Sequence, residues 1–151
     1  MSLQKQLRKA RGFDVWLQVA QTNLKVHRAL NSLLSGLDLS LAQHEILLNI
    51  RRDSGLTQTE LSRKLLVVKS NISALLKKLE ARGLVRRTPD PQDSRNNQLT
   101  LTKSGEALVE KSFALQNRVV NAMASVMSDA DLEHMAAVMH RVSDAIDALD
   151  T

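Results

Sequence analysis

Both prolines of the 151-residue chain, Pro89 and Pro91, fall inside one ten-residue stretch, Thr88-Pro-Asp-Pro-Gln-Asp-Ser-Arg-Asn-Asn97. A chain whose strongest helix breakers are confined to one place must turn there and is free to be helical elsewhere. Apolar spacing agrees. Beside the proline stretch the period is two: Val85 alternates with its neighbours in Leu84-Val-Arg-Arg-Thr88, and Leu99 and Leu101 alternate with Gln98, Thr100 and Thr102. Two strands paired as a hairpin are expected across the loop. Away from it the period is helical, so the fold class expected is mainly α with a small β-hairpin.

From about Leu3 to Leu37, Phe13, Leu17, Ala20, Leu24, His27 and Leu34 recur at spacings of three, four or seven, with a second row at Val26, Leu30, Leu33 and Leu37. That predicts one helix with two apolar sides, closed by Gly36. Ser40 with Gln43, and Thr57 with Glu60, are capping-box pairs that open a second and a third helix, and Leu56 and Leu61 supply a hydrophobic staple for the third, which runs to about Leu65. Over residues 67–82, Val68, Ile72, Leu75, Leu76 and Leu79 form one apolar face of a fourth helix that Gly83 can end. Beyond the hairpin a helix is expected from about Lys103 to Met127. Ser128 with Asp131 opens the last, whose apolar residues Leu132, Met135, Met139, Val142, Ile146 and Leu149 make a coiled-coil-like seam. Residues 1–28 hold six bases and one acid, residues 128–151 six acids and one base. So long a seam on so small a protein favours a homodimer.

The length suits one domain. The absence of cysteine removes disulfides, thiolate metal sites and thiol chemistry. No apolar run approaches the roughly 20 residues of a membrane span, so the chain is expected to be soluble and cytoplasmic. Between Thr57 and Gly105 ten basic residues stand against four acids, a surplus of six in a chain whose total is +5. Basicity concentrated in one block suits a polyanion.

Within that block, a rotation of 100° per residue about Ile72 puts Ser70, Ala74, Lys77 and Lys78 opposite the apolar face, flanked by Lys69, Asn71 and Ser73. Small residues let a helix approach the floor of the major groove, Asn71 can pair with adenine, and Lys69 can reach guanine or phosphate. Thr57, Gln58 and Thr59 begin the preceding helix, where free amides can hold a phosphate. Arg95 stands at the hairpin tip, placed for a minor groove, with Arg86, Arg87 and Lys103 able to neutralise the backbone beside it.

Asp90-Pro-Gln-Asp-Ser-Arg95 followed by Leu99-Thr-Leu-Thr-Lys-Ser-Gly105 resembles the wing of the MarR (multiple antibiotic resistance regulator) family. Leu56-Thr-Gln-Thr-Glu-Leu-Ser62, Val67-Val-Lys-Ser-Asn-Ile-Ser73 and Leu79-Glu-Ala-Arg-Gly-Leu-Val-Arg-Arg87 are similar to its helix-turn-helix. The resemblance implies a winged helix-turn-helix over residues 39–102, between helical dimerisation regions at 1–38 and 103–151, in an obligate homodimer on a pseudo-palindromic site in double-stranded DNA. By the same resemblance, Lys69, Ser70, Asn71 and Ser73 face the bases, Asp93 positions Arg95, and Arg95 contacts DNA. Members commonly repress transcription and release DNA when a small aromatic or anionic compound enters a cleft. Trp16, His27 and His44 are the candidates for that cleft here.

Two other uses of the fold are open to the sequence: a DNA-coating or protein-interaction module without a ligand, and a metal-responsive regulator built on His44 with Glu45, Glu106 or Glu110. Nothing resembles a nucleophile elbow, a phosphate-cradling glycine loop or a two-histidine zinc helix, and His134 and His140, six apart, fall on different helix faces. No catalytic residue, cofactor or resident metal is expected.

Overall fold

The computed structural model describes residues 11–65, 71–91 and 97–149. Helix α1 (Phe13–Ser35) leads into α2 (Leu41–Arg52), α3 (Gln58–Lys64) and α4 (Ile72–Ala81). Strands β1 (Val85–Pro89) and β2 (Asn97–Leu101) follow, then α5 (Lys103–Ala124) and α6 (Asp129–Asp147). The mainly helical fold with a winged hairpin is as the sequence implied. None of the described helices is long and apolar enough to cross a membrane.

Three helices start where capping chemistry placed them. Ser40, Thr57 and Ser128 each accept the N3 amide while Gln43, Glu60 and Asp131 return a bond to the N-cap amide. Leu56 and Leu61, the staple, are both buried. Helix α4 ends as a Schellman turn: Gly83, at φ 67°, donates to the Glu80 carbonyl (2.8 Å), and Leu84 donates to that of Leu79 (3.0 Å).

Two helix starts differ from expectation. Helix α1 begins at Phe13, because Gly12 at φ 87° breaks the right-handed path; residues 1–10 of the expected Leu3 start lie outside the described residues. The described helix α4 begins at Ile72, since Asn71 sits at φ 66° and no residue in that conformation can be interior to a right-handed helix; the expected start at 67 falls among residues 66–70, outside the described residues. Gly36 does cap α1, but in right-handed form, and the left-handed step falls on Asp38 (φ 52°). Arg82, at the end of α4, holds this corner by donating to the carbonyls of Asp38 (2.6 Å) and Leu37 (3.3 Å).

The hairpin pairs Val85 with Leu101 through to Pro89 with Asn97, so proline ends its strand where the missing donor costs least. The α2–α3 connection adds to its other edge: Gly55 donates to the Leu99 carbonyl and Leu99 to that of Leu56, both at 2.9 Å, and Thr57 bridges Gln98. This third stretch carries no alternating pattern, and the sequence did not announce it.

Leu34, Ile46, Leu47, Ile50, Leu61, Leu76, Leu79 and Leu99 are fully buried in one apolar core. Gly105, Val109 and Ser112, spaced by four and three, bring the first turns of α5 onto it. By packing, the chain divides inside α5: the described residues up to Gln116 form one unit and those from Asn117 onward a second. In that second unit α6 buries none of its residues, and Leu132, Met135, Met139, Val142 and Ile146 are all exposed.

Candidate nucleic-acid interface

Helix α4 turns Ile72, Leu76 and Leu79 into the core, so Ser73, Lys77 and Lys78 are left outside by the same periodicity, and all three are exposed. Asn71 is exposed too, but at the helix start in left-handed form instead of on the flank of a longer helix. Asparagine tolerates that conformation where most residues do not. A groove of about 390 Å³ between α3 and α4 is lined by Gln58, Thr59, Ser62, Asn71, Ile72 and Ser73. Arg86 is exposed on β1, opposite Thr100. Lys69 and Ser70, and the wing pair Asp93 and Arg95, lie outside the described residues.

Three expected phosphate contacts are otherwise engaged. The Thr57 amide (2.7 Å) and hydroxyl (2.9 Å) both donate to Glu60 Oε2, and the Thr57 Oγ1 accepts the Glu60 amide (3.3 Å). These bonds hold the Glu60 carboxyl below its usual range, and an ionised carboxylate at a helix start repels the anion that the bare amides would have drawn. Gln58 Oε1 accepts Arg87 Nη1 at 3.2 Å, and Arg87 Nε donates to Glu80 Oε1 at 2.9 Å. Gln58 and Arg87 are thus bonded to the protein, and Thr59 is left as the exposed residue of the three at the start of α3.

Away from this surface a cleft of about 780 Å³ opens between α2 and α5. Leu41, Leu48, Val109 and Phe113 make one wall, and Asn49, Arg51, Arg52 and Lys64 bring polar and positive groups to it. Of the three cleft candidates only His44 lines it. Trp16 is 62% exposed on α1, its ring 5.4 Å from that of Phe13, and His27 is half-buried on the same helix. Phe113 and Gln116 are among the lining residues that the sequence did not point to. The available signal was Ser112, a polar residue in the apolar register of Gly105 and Val109.

His44 is buried, and both ring nitrogens are used: Nε2 lies 2.7 Å from Gln116 Oε1 and Nδ1 lies 2.9 Å from Ser112 Oγ. With the ring neutral, Nε2–H donates to the amide oxygen and Nδ1 accepts the single Ser112 hydroxyl proton, for which the Val109 carbonyl at 3.1 Å competes. Burial pushes the His44 pKa below 6.5, against the upward pull of the Gln116 hydrogen bond and the Glu45 charge. A neutral buried histidine stabilises the fold fully above its unfolded pKa of about 6.5. That contribution falls as pH drops from there to the folded pKa, below which it stays flat. Denaturant midpoints are therefore expected to fall between pH 7.5 and 5.5 in wild type and to fall less in His44→Gln; an NMR titration placing His44 at or above 6.5 would overturn this. Glu106 and Glu110 face Arg51 (3.3 and 3.4 Å), not His44, and no three metal-ligating side chains gather among the described residues. A metal centre on His44 with Glu45, Glu106 or Glu110 is not assembled among the described residues.

Residues 37–96 match a family model described as the MarR family. An uncharacterised HTH-type transcriptional regulator of Bacillus cereus (strain ZK / E33L) is 34% identical over 105 residues, covering 70% of this chain and 69% of that one. The multiple antibiotic resistance protein MarR of Escherichia coli is 35% identical over 97 residues, covering 64% and 67%. The crystal structure of a cysteine-to-serine variant of that Escherichia coli protein complexed with operator DNA superposes with a TM-score of 0.76 at 27% identity, over 85% of this chain and 93% of that one.

Proposed function

The chain belongs to the MarR family of DNA-binding transcriptional regulators, and from that premise we propose that it acts as a homodimeric, ligand-responsive repressor on a pseudo-palindromic operator. It is not an enzyme. The observation that carries the proposal is the exposed pair Ser73 and Lys77 on a helix whose opposite face is locked into the core, with Asn71 exposed at its start and a basic hairpin beside it. A helix so presented fits a major groove, and small polar residues next to a lysine suit base edges and phosphate together. The uncovered seam of α6 supports pairing with a second copy, since exposed apolar rows of this length mark interfaces. The cleft beside His44 supports a small aromatic or anionic effector: Phe113 offers a flat apolar surface and Arg52 offers charge, while Lys64 is already paired with Asp53.

Selection of bound duplexes from a random pool tests this. One pseudo-palindrome is expected to emerge, bound far more tightly than unrelated duplex, and a small aromatic acid that fills the cleft is expected to release it. Lys77→Ala is expected to weaken all duplexes alike and to lower the slope of log affinity against log salt by about 1.8, about 0.9 for each protomer of the dimer. Asn71→Ala is expected to relax the preference at one position of each half-site. Binding that is equal for every sequence, and no tighter than to heparin, would turn the protein into a DNA-coating module and end the repressor proposal.

A further inference from the structure

We propose that Arg87 is the positioning residue of the DNA-reading surface: its guanidinium, bonded at once to Gln58 and Glu80, fixes the wing strand against both helices of the helix-turn-helix without contacting DNA. The inference rests on the sequence-specific binding proposed above. Arg87 is on β1, Gln58 is the first residue of α3, and Glu80 lies in the last turn of α4. One side chain thus closes a triangle between the three elements that carry the groove-facing residues, through bonds of 2.9 and 3.2 Å. A planar fork is suited to two acceptors in fixed directions, which a lysine cannot serve together.

The guanidinium is also placed where a phosphate does not reach it. Its Nη2 is buried with no partner among the described residues. The Arg87 and Glu80 side chains are only 23% and 28% exposed, so the pair is screened less than a surface ion pair. Arg86, next in the chain, points to the opposite face of the strand and is exposed. Glu80 itself is otherwise unexpected on a surface for a polyanion, because a carboxylate there repels phosphate. Holding Arg87 accounts for it.

The test compares wild type, Arg87→Met, Arg87→Lys and Glu80→Gln on the selected operator and on an unrelated duplex, over a range of salt and well below each melting temperature. Arg87→Met is expected to lose about tenfold or more on the operator and less than about twofold on the unrelated duplex, the loss of a charge-assisted, partly buried bond pair. Its salt slope is expected to stay at the wild-type value. Arg87→Lys should fall between. Glu80→Gln, which removes a negative charge near DNA, is nevertheless expected to lose discrimination.

Two results overturn the inference. If Arg87 contacts phosphate, Arg87→Met weakens both duplexes alike, its slope falls by about 1.8 for the two protomers of the dimer, and Glu80→Gln tightens both. If Arg87 only stabilises the fold, melting temperatures fall while the ratio of operator to unrelated affinity holds. Glu80→Gln decides the question should Arg87→Met fail to fold. A wild type that shows no discrimination sinks the proposed function instead, and does so before any variant is compared.

Discussion

Gly105→Ala is expected to cost roughly 3 kcal/mol or more of folding stability, a large share of what a domain of this size has. The ordinary effect has the opposite sign, since alanine is favoured over glycine in a helix by about 1 kcal/mol. Here a Cβ would lie 2.1 Å from the Leu84 carbonyl oxygen and 3.1 Å from its carbon. The obstacle is backbone, and it cannot swing away. The Leu84 carbonyl accepts the Thr102 amide (3.1 Å), and Leu84 also completes the turn that ends α4. Thr102 Oγ1 donates to the Gly83 carbonyl (2.6 Å) and accepts the Gly105 amide (3.1 Å), so α4, β1 and α5 meet at one point. Denaturant unfolding measures the loss. Gly36→Ala is the control, because its Cβ meets nothing nearer than 3.6 Å in a right-handed conformation; near-neutral results at both positions would refute the clash.

Met139→Glu is expected to convert a dimer to a monomer of 16.8 kDa at micromolar concentration and to weaken operator binding by about a hundredfold or more. Met139 lies mid-seam on α6, exposed in the protomer together with Leu132, Met135, Val142 and Ile146. In a two-fold interface one substitution places two carboxylates in apolar surroundings, each without a partner. Sedimentation and a mobility-shift titration read the two effects. A variant that stays dimeric while melting earlier would assign the seam to packing within one chain.

The parts of the fold that the sequence made legible are those governed by local rules. Ser40, Thr57 and Ser128 announce helix starts because a capping box needs only four residues. The change of period from helical to two locates the hairpin, and Gly83 marks the end of α4. What stayed hidden depends on which of two competing partners wins. The hydroxyl and amide of Thr57 suit a phosphate and also suit Glu60; the carboxylate three residues away is always present and takes them. Arg87 looks like its neighbour Arg86 in sequence, but strand alternation and the position of Glu80 turn one inward and leave the other in solvent. Asn71 and Ser73 are both exposed, Ser73 by helical periodicity and Asn71 through the left-handed turn at the helix start, which periodicity alone does not show. Of the cleft, His44 alone of the three candidates lines it, and Phe113 and Gln116 come into view only when α5 is laid against α2.

The grip of Arg82 on the corner between α1 and α2 makes a fulcrum of the far end of α4. Ten residues of helix form an arm of about 15 Å, so a tilt of about 10° there sweeps Asn71 through roughly 2.6 Å, close to the separation of successive base pairs. Since Ile72, Leu76 and Leu79 tie the same helix into the core, Arg82 and that packing together oppose the tilt that would carry the helix out of register with the duplex.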